Sequence, residues 1–244
     1  MGRRVLVTRP QPGAEATARK LAALGFEPIV LPLTETRGVK LAELPNGASV
    51  DAVAVTSANA LRFAPTALLS ACAQKPCFVV GTETAAAARK AGFAALETGP
   101  GDAVGLAALV AKRFPAGSRL LYLCGKVRLP AFEAELARAG LLVTAVETYD
   151  TRPLGDAAKD LGAAGSGKPI DSVLLHSAES ARLLSALLHD TDAGLTLAAA
   201  RFCCLSSRIA AALDGIDASR IAVARHPSEQ ALLDLVVAGC GNPP

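Results

Sequence analysis

The sequence predicts an α/β protein made of two similar halves, each a roughly five-stranded parallel sheet flanked by helices. Three observations carry this. Short β-branched or Leu-rich runs alternate with Ala-rich helical stretches along the whole chain, and strictly alternating β and α implies parallel sheets covered on both faces. Hydrophobic residues make up 51% but aromatics only 4%, with no Trp, so the helices are expected to pack closely through small side chains. Finally, the chain repeats itself. "DAVAVTSANALRF" at 51–63 returns as "DSVLLHSAESARLL" at 171–184, placing Asp51 on Asp171, Ser57 on Ser177 and Arg62 on Arg182.

Strands are expected at 4–8, 28–33, 52–56, 77–80, 94–97, 119–124, 142–148, 172–175, 202–205 and 220–223. Each is a short apolar run bounded by turn residues. Helical periodicity fills most of the gaps, as in "EATARKLAAL" and "FEAELARA", with Gly25, Gly92 and Gly140 as stops. Two further repeats support the duplication. "LAALGFEPIVLPLTET" (21–36) resembles "LARAGLLVTAVETYDT" (136–151), and "FVVGTETAAAA" (78–88) resembles "CCLSSRIAAAL" (203–213). The segments after strands 28–33 and 142–148, "LTETRG" and "YDTRP", turn polar together and predict a paired crossing between two domains.

At 244 residues the chain suits one large domain or two small ones. A net charge of +3 and a pI near 8.6 are too mild to argue for nucleic acid, and Lys and Arg form no basic block. The six cysteines include no Cys-x-x-Cys pair and are expected to be reduced thiols in a cytoplasmic protein. The three histidines, His176, His189 and His226, have no metal-ligand spacing, so no metal is expected. The apolar stretch of "MGRRVLVTRP" is too short for a signal-peptide core, and no run reaches the length of a membrane span.

"GAAGSGKP" (162–169) fits part of a phosphate loop. Pro169, however, stands where a magnesium-binding hydroxyl is needed, and the loop precedes a strand rather than a helix. "TGPGDAVG" (98–105) reads as a turn in which Asp102 caps the helix 103–113. In the matching place of the second half, Pro227 is expected at a helix start with Ser228 near its first turn.

The repeated serine has a local reading and a functional one. Alone, Ser57 or Ser177 is an ordinary helix cap. Yet strand ends that turn into helices recur at Thr8-Arg9, Thr56-Ser57, Gly81-Thr82, Gly125-Lys126, Ser177 and Ser206-Ser207. Helix N-termini offer backbone N–H groups and partial positive charge, and parallel sheets bind ligands at their carboxyl ends. Together these turns would line a cleft for a ligand carrying several carboxylates or phosphates. Of the two tyrosines, Tyr122 lies inside the apolar run "LLYLC" and is expected in a core. Tyr149 stands at a strand end beside the crossing, either facing that cleft or serving as a linker residue.

In order and spacing, "VLVTRP", "VTSANAL", "VVGTETA", "YLCGKVRLP", "VETYDT", "LLHSAESARLL" and "CLSSRIAAAL" resemble the uroporphyrinogen-III synthase family over nearly the whole chain. The resemblance implies two flavodoxin-like α/β domains joined by a two-stranded connector, residues 1–35 with 152–244 forming one and 36–151 the other. It implies cyclisation of linear hydroxymethylbilane to uroporphyrinogen III, with inversion of the last pyrrole ring, loss of water and no cofactor. Departure of the hydroxyl would give an azafulvene cation, followed by a spiro intermediate that fragments and recloses. The substrate bears eight carboxylates, and shaping it matters because it cyclises unaided to the wrong isomer.

The family's implicated tyrosine corresponds to Tyr149, the candidate catalytic residue. Candidate substrate-binding residues are Thr8, Arg9, Thr56, Ser57, Asn59, Gly81, Thr82, Thr84, Gly125, Lys126, Arg128, Ser177, Ser180, Ser206, Ser207, Arg208, Pro227 and Ser228. Ile209 departs from the family, which often has a threonine there; Ser206, Ser207 or Arg208 would have to substitute. A monomer in transient contact with hydroxymethylbilane synthase is expected, with no membrane partner. The alternatives are a non-catalytic two-lobed binding or sensor protein for a polyanionic metabolite, and a transferase using a nucleotide-linked donor.

Overall fold

A computed structural model describes residues 2–46, 49–128, 130–155, 160–163, 168–188 and 191–239. The chain divides into two compact units, Met1–Glu35 with Arg152–Pro244, and Thr36–Thr151.

The first unit contains strands β1 (Arg4–Val7), β2 (Glu27–Val30), β9 (Ser172–Leu175), β10 (Arg201–Cys204) and β11 (Ile221–Val223), in the order β11-β10-β9-β1-β2. The pairings β1–β2, β1–β9, β9–β10 and β10–β11 are all parallel. Side chains alternate between two cores. Val5, Val7, Leu174 and Cys203 face one way, against the helices Gly13–Ala23 and Glu229–Ala238. Leu6, Val173, Leu175 and Phe202 face the other, against helix Ala178–Leu187. Fully buried parallel strands of this kind read as continuous apolar runs. Successive connections run outward on opposite sides of the β1/β9 pair, making that pair the topological switch point.

The second unit contains β3 (Thr34–Gly38), which begins two residues before it, β4 (Ala52–Val55), β5 (Cys77–Val79), β6 (Leu96–Thr98), β7 (Arg119–Gly125) and β8 (Leu142–Pro153). Their order is β3-β8-β7-β4-β5-β6. Here the switch point falls between β4 and β7, which pair in parallel. One face packs Val53, Val55, Val79, Leu121 and Leu123 against helices Ala58–Phe63, Thr66–Cys72 and Thr82–Lys90. The other packs Ala52, Phe78, Leu120 and Tyr122 against Ala103–Arg113 and Ala131–Arg138.

The boundaries differ from the sequence reading where strand pairing overrides local pattern. The run expected at 28–33 ends at Val30, and Pro32 separates it from β3. The strand expected at 142–148 continues to Pro153, bonded to β3 from Val39 N to Thr148 O at 2.9 Å and from Leu154 N to Leu33 O at 2.9 Å. The crossing segments are thus themselves strands, and the second sheet has six members.

The duplicated punctuation has a physical basis at both ends of the strands. Before them, Asp51 Oδ2 accepts from Arg119 N at 2.7 Å, and Asp171 Oδ2 accepts from Arg4 N at 2.7 Å. Each aspartate therefore latches the neighbouring strand at the switch point. After the strands, Ser57 Oγ accepts from Asn59 N and Ser177 Oγ from Ser180 N. Gly25 and Gly140, aligned in the repeat, both follow helices with φ of 86° and 77°, a conformation that favours glycine. Asp171→Ala should lower stability by about 1.5–3 kcal/mol, the range for a hydrogen bond to a charged group. Asp51→Ala should cost less because its bond to Arg119 N is exposed, whereas Asp171 bonds the buried Arg4; paired denaturant titrations would measure both.

Candidate functional site

Residues at the carboxyl ends of β4 and β7 meet Tyr149 beside the switch point of the six-stranded sheet. Tyr149 lies inside β8 rather than at its expected end, because pairing with β3 extends that strand to Pro153. Cys124 pairs with Glu147, but Gly125 pairs with Tyr149, so Thr148 is an extra residue. This bulge re-aims the strand, a device common beside functional sites. It is pinned from inside: the fully buried Thr148 donates its hydroxyl to Ala60 O at 2.8 Å. Tyr149 follows, half-buried, with its ring 6.4 Å from that of Phe63 and its hydroxyl hydrogen-bonded to Ser57. Beneath it lies Gly125, where a Cβ would stand 2.6 Å from Tyr149 Cζ and 2.9 Å from its Oη. Burial raises the Tyr149 pKa, partly opposed by the Ser57 bond, so the phenol is a protonated donor at neutral pH.

The other tyrosine is a core residue, as expected. Tyr122 is 1% exposed, shares a 2.8 Å bond with Thr56 Oγ1, and burial pushes its pKa up to about 12.

The loop after β7 is held by its own ion pairs. Arg128 bonds Glu133 at 2.9 Å and Glu147 at 2.7 Å, and these hydrogen bonds raise its pKa. Lys126 N donates to Tyr149 O at 2.8 Å, so this backbone donor ties the loop to β8, while the Lys126 side chain is exposed. At β5, helix Thr82–Lys90 begins at Gly81 with no side-chain cap; Thr82 is exposed and Thr84 buried. Asn59 and Arg62 bond each other beside the Ser57 cap.

In the five-stranded sheet, the switch point gathers Arg9 after β1 and His176 after β9. Glu229 Oε2 accepts from Arg9 Nη1 at 3.0 Å and from His176 Nε2 at 3.0 Å, while Thr17 Oγ1 donates to Oε1 at 2.6 Å. Burial opposes the charge, but the bonds from His176 and Thr17, with the charges of His176 and Arg9, hold the Glu229 carboxyl down to about 2. None of Thr17, His176 and Glu229 was singled out from sequence. Their partners lie up to 220 residues apart, and no spacing signals such a pair.

Other expected side chains are engaged by the fold. Thr8 is fully buried and donates to Leu174 O at 2.8 Å. Ser180, 1% exposed, bonds Ser177. Ser228 is the cap itself, accepting from Ala231 N, so the helix starts at Glu229 and Pro227 precedes it. Ser206 caps the short helix Ser207–Ala210 without a side-chain bond, Ser207 and Arg208 are exposed, and Ile209 is core at 2% exposure. Of the loop 162–169, residues 164–167 lie outside the described residues, as do His189 and Cys240. Cys72, Cys77, Cys124, Cys203 and Cys204 are buried free thiols. Among the described residues no cluster of His, Cys, Asp and Glu could hold a metal ion, and no helix is long and apolar enough to cross a membrane.

One sheet is parallel throughout and the other is parallel except for β3, which runs antiparallel to β8 against the all-parallel expectation. Each gathers polar side chains at its switch point, the place where doubly wound α/β proteins bind ligands. The family model for "Uroporphyrinogen-III synthase HemD" matches residues 15–234. The chain belongs to the uroporphyrinogen-III synthase family, the cyclising lyases of tetrapyrrole biosynthesis that act on hydroxymethylbilane. It is similar in fold to a mutant uroporphyrinogen III synthase of the extreme thermophile Thermus thermophilus, at 20% identity and a TM-score of 0.62 over 98% of this chain and 99% of that one. It is likewise similar to the uroporphyrinogen-III synthetase of Helicobacter pylori, at 18% identity and a TM-score of 0.65, again over 98% and 99%. No curated protein matches the chain. Family membership favours the catalyst over the non-catalytic binding protein.

Proposed function

We propose that the chain cyclises hydroxymethylbilane to uroporphyrinogen III with Tyr149 as the proton donor to the departing hydroxyl. The observation that carries this is the Tyr149 phenol, aimed by the Thr148 bulge between Ser57 and Gly125 at the switch point. The phenol needs no tuning to donate, because it is protonated at working pH. The substrate's carboxylates are received by N–H groups and cations at the sheets' carboxyl ends: near Ser57, Gly81 and Thr82 in one unit, and near Arg9, Ser177, Ser206, Ser207, Arg208 and Ser228 in the other. Arg128, saturated by Glu133 and Glu147, shapes its loop rather than binding substrate. The compact units 1–35 with 152–244 and 36–151 act as the two domains, and the protein works as a cytoplasmic monomer.

The deciding assay incubates the protein with freshly generated hydroxymethylbilane, oxidises the products and separates the isomers. Type III product is expected; type I alone, at the spontaneous rate, overturns the reading. Within that assay Ser57→Ala and Ser177→Ala should each lose about 1 kcal/mol of stability with modest change in rate, because the hydroxyl mainly caps a helix. Ser57→Asp should raise KM by about tenfold or more by setting like charge against an anionic substrate. Wild-type kinetics for Ser57→Asp would remove Ser57 from the site.

A further inference from the structure

Arg9, Thr17, His176 and Glu229 come from four separate elements of one unit, and only Arg9 enters the scheme above. Glu229 is ionised and can only accept, so His176 Nε2 carries the proton in their 3.0 Å bond. With Thr17 on Oε1 and Arg9 on Oε2, the carboxylate is fixed from three sides. Arg9 is confined from a fourth direction. A Cβ at Gly13 would stand 2.5 Å from its Nε and 2.9 Å from Nη2, so glycine leaves the guanidinium its place. The Arg9 side chain keeps 25% of its surface exposed, and among the described residues its bonds all run from Nη1.

An arginine held this firmly, with donors to spare at the switch point of a parallel sheet, is built to meet an anion. We propose that Arg9 receives one carboxylate arm of the substrate and that Glu229, braced by Thr17 and His176, is the positioning residue that aims it. This rests on the substrate reading above. It differs from a buried ion pair that serves the fold alone, because it makes binding, and not only stability, depend on Glu229 and on the absence of a side chain at Gly13.

The test is steady-state kinetics with freshly generated hydroxymethylbilane on wild type, Arg9→Ala, Glu229→Gln, their double variant and Gly13→Ala. Arg9→Ala and Glu229→Gln should each raise KM about tenfold, the loss of a charge-assisted hydrogen bond, with kcat close to wild type. The double variant should be no worse than Arg9→Ala, since Glu229 acts only through it. Gly13→Ala should also raise KM, with a smaller fall in melting temperature than Glu229→Gln, because the methyl displaces the Arg9 guanidinium while Thr17 and His176 still hold Glu229. That variant keeps the test open if Glu229→Gln fails to fold. Wild-type KM in Arg9→Ala and Gly13→Ala, or additive effects in the double variant, overturns the proposal. A wild-type protein that yields only type I product overturns instead the reading on which it rests.

Discussion

Tyr149→Phe should slow turnover by up to about 10²-fold, at the low end of what a positioned general acid supplies. The electron-rich pyrrole already expels the hydroxyl, so the donor assists a step that is easy in itself. Phenylalanine keeps the ring against Phe63 and removes only the hydroxyl that bonds Ser57. The melting temperature should therefore fall little, while the share of type I product rises as spontaneous closure competes. The pH dependence has a definite sign. The phenol works while protonated, and burial raises its pKa above the ordinary value of about 10. Wild-type kcat should thus show no loss attributable to this group up to pH about 10. Tyr122→Phe supplies the control: its hydroxyl bonds Thr56 within the fold, and its loss should lower stability and leave the isomer ratio alone. Turnover and isomer ratio unchanged in a folded Tyr149→Phe protein would make the phenol structural.

What the sequence disclosed, and what it withheld, follows the range of the interactions involved. The α/β class was legible because runs such as "VLLHSAESARLL" carry their strand, turn and helix signals within a dozen residues. The serine caps are equally local, and both were readable. β3 was not: "TETRG" is polar and only partly buried, and it becomes a strand by pairing with β8. Arg128 is a candidate substrate-binding residue from the sequence, yet Glu133 and Glu147, five and nineteen residues on, engage its guanidinium, and nothing within the local motif signals those partners. The Glu229 cluster joins elements from opposite ends of the sequence. Thr148 was passed over for a different reason, since a bulge is a property of the pairing and leaves no mark in one strand alone.

Gly125→Ala is the sharper test of Tyr149, because it removes no atom of the proposed acid and only displaces it. Gly125 is buried at the end of β7 with the Tyr149 ring directly over it. The added methyl would lie 2.6 Å from Cζ, whereas carbon atoms rest at about 3.5–4.0 Å. The phenol must therefore give way by about 1 Å. β8 can give little, because the Thr148 hydroxyl is bonded to Ala60 O in the buried interior; the ring moves and its bond to Ser57 lengthens. A misplacement of about 1 Å costs on the order of 10²-fold in rate. Stability should suffer much less, since alanine in a strand avoids glycine's entropic penalty of about 0.5–1 kcal/mol, which offsets part of the strain. Turnover should thus fall toward that of Tyr149→Phe, with a matching rise in type I product. The double variant Gly125→Ala/Tyr149→Phe should be little worse than either single one, because both remove the same donor from the same place. Additive losses would instead assign Gly125 a role of its own, as an unobstructed backbone surface against the substrate, and would separate it from the phenol.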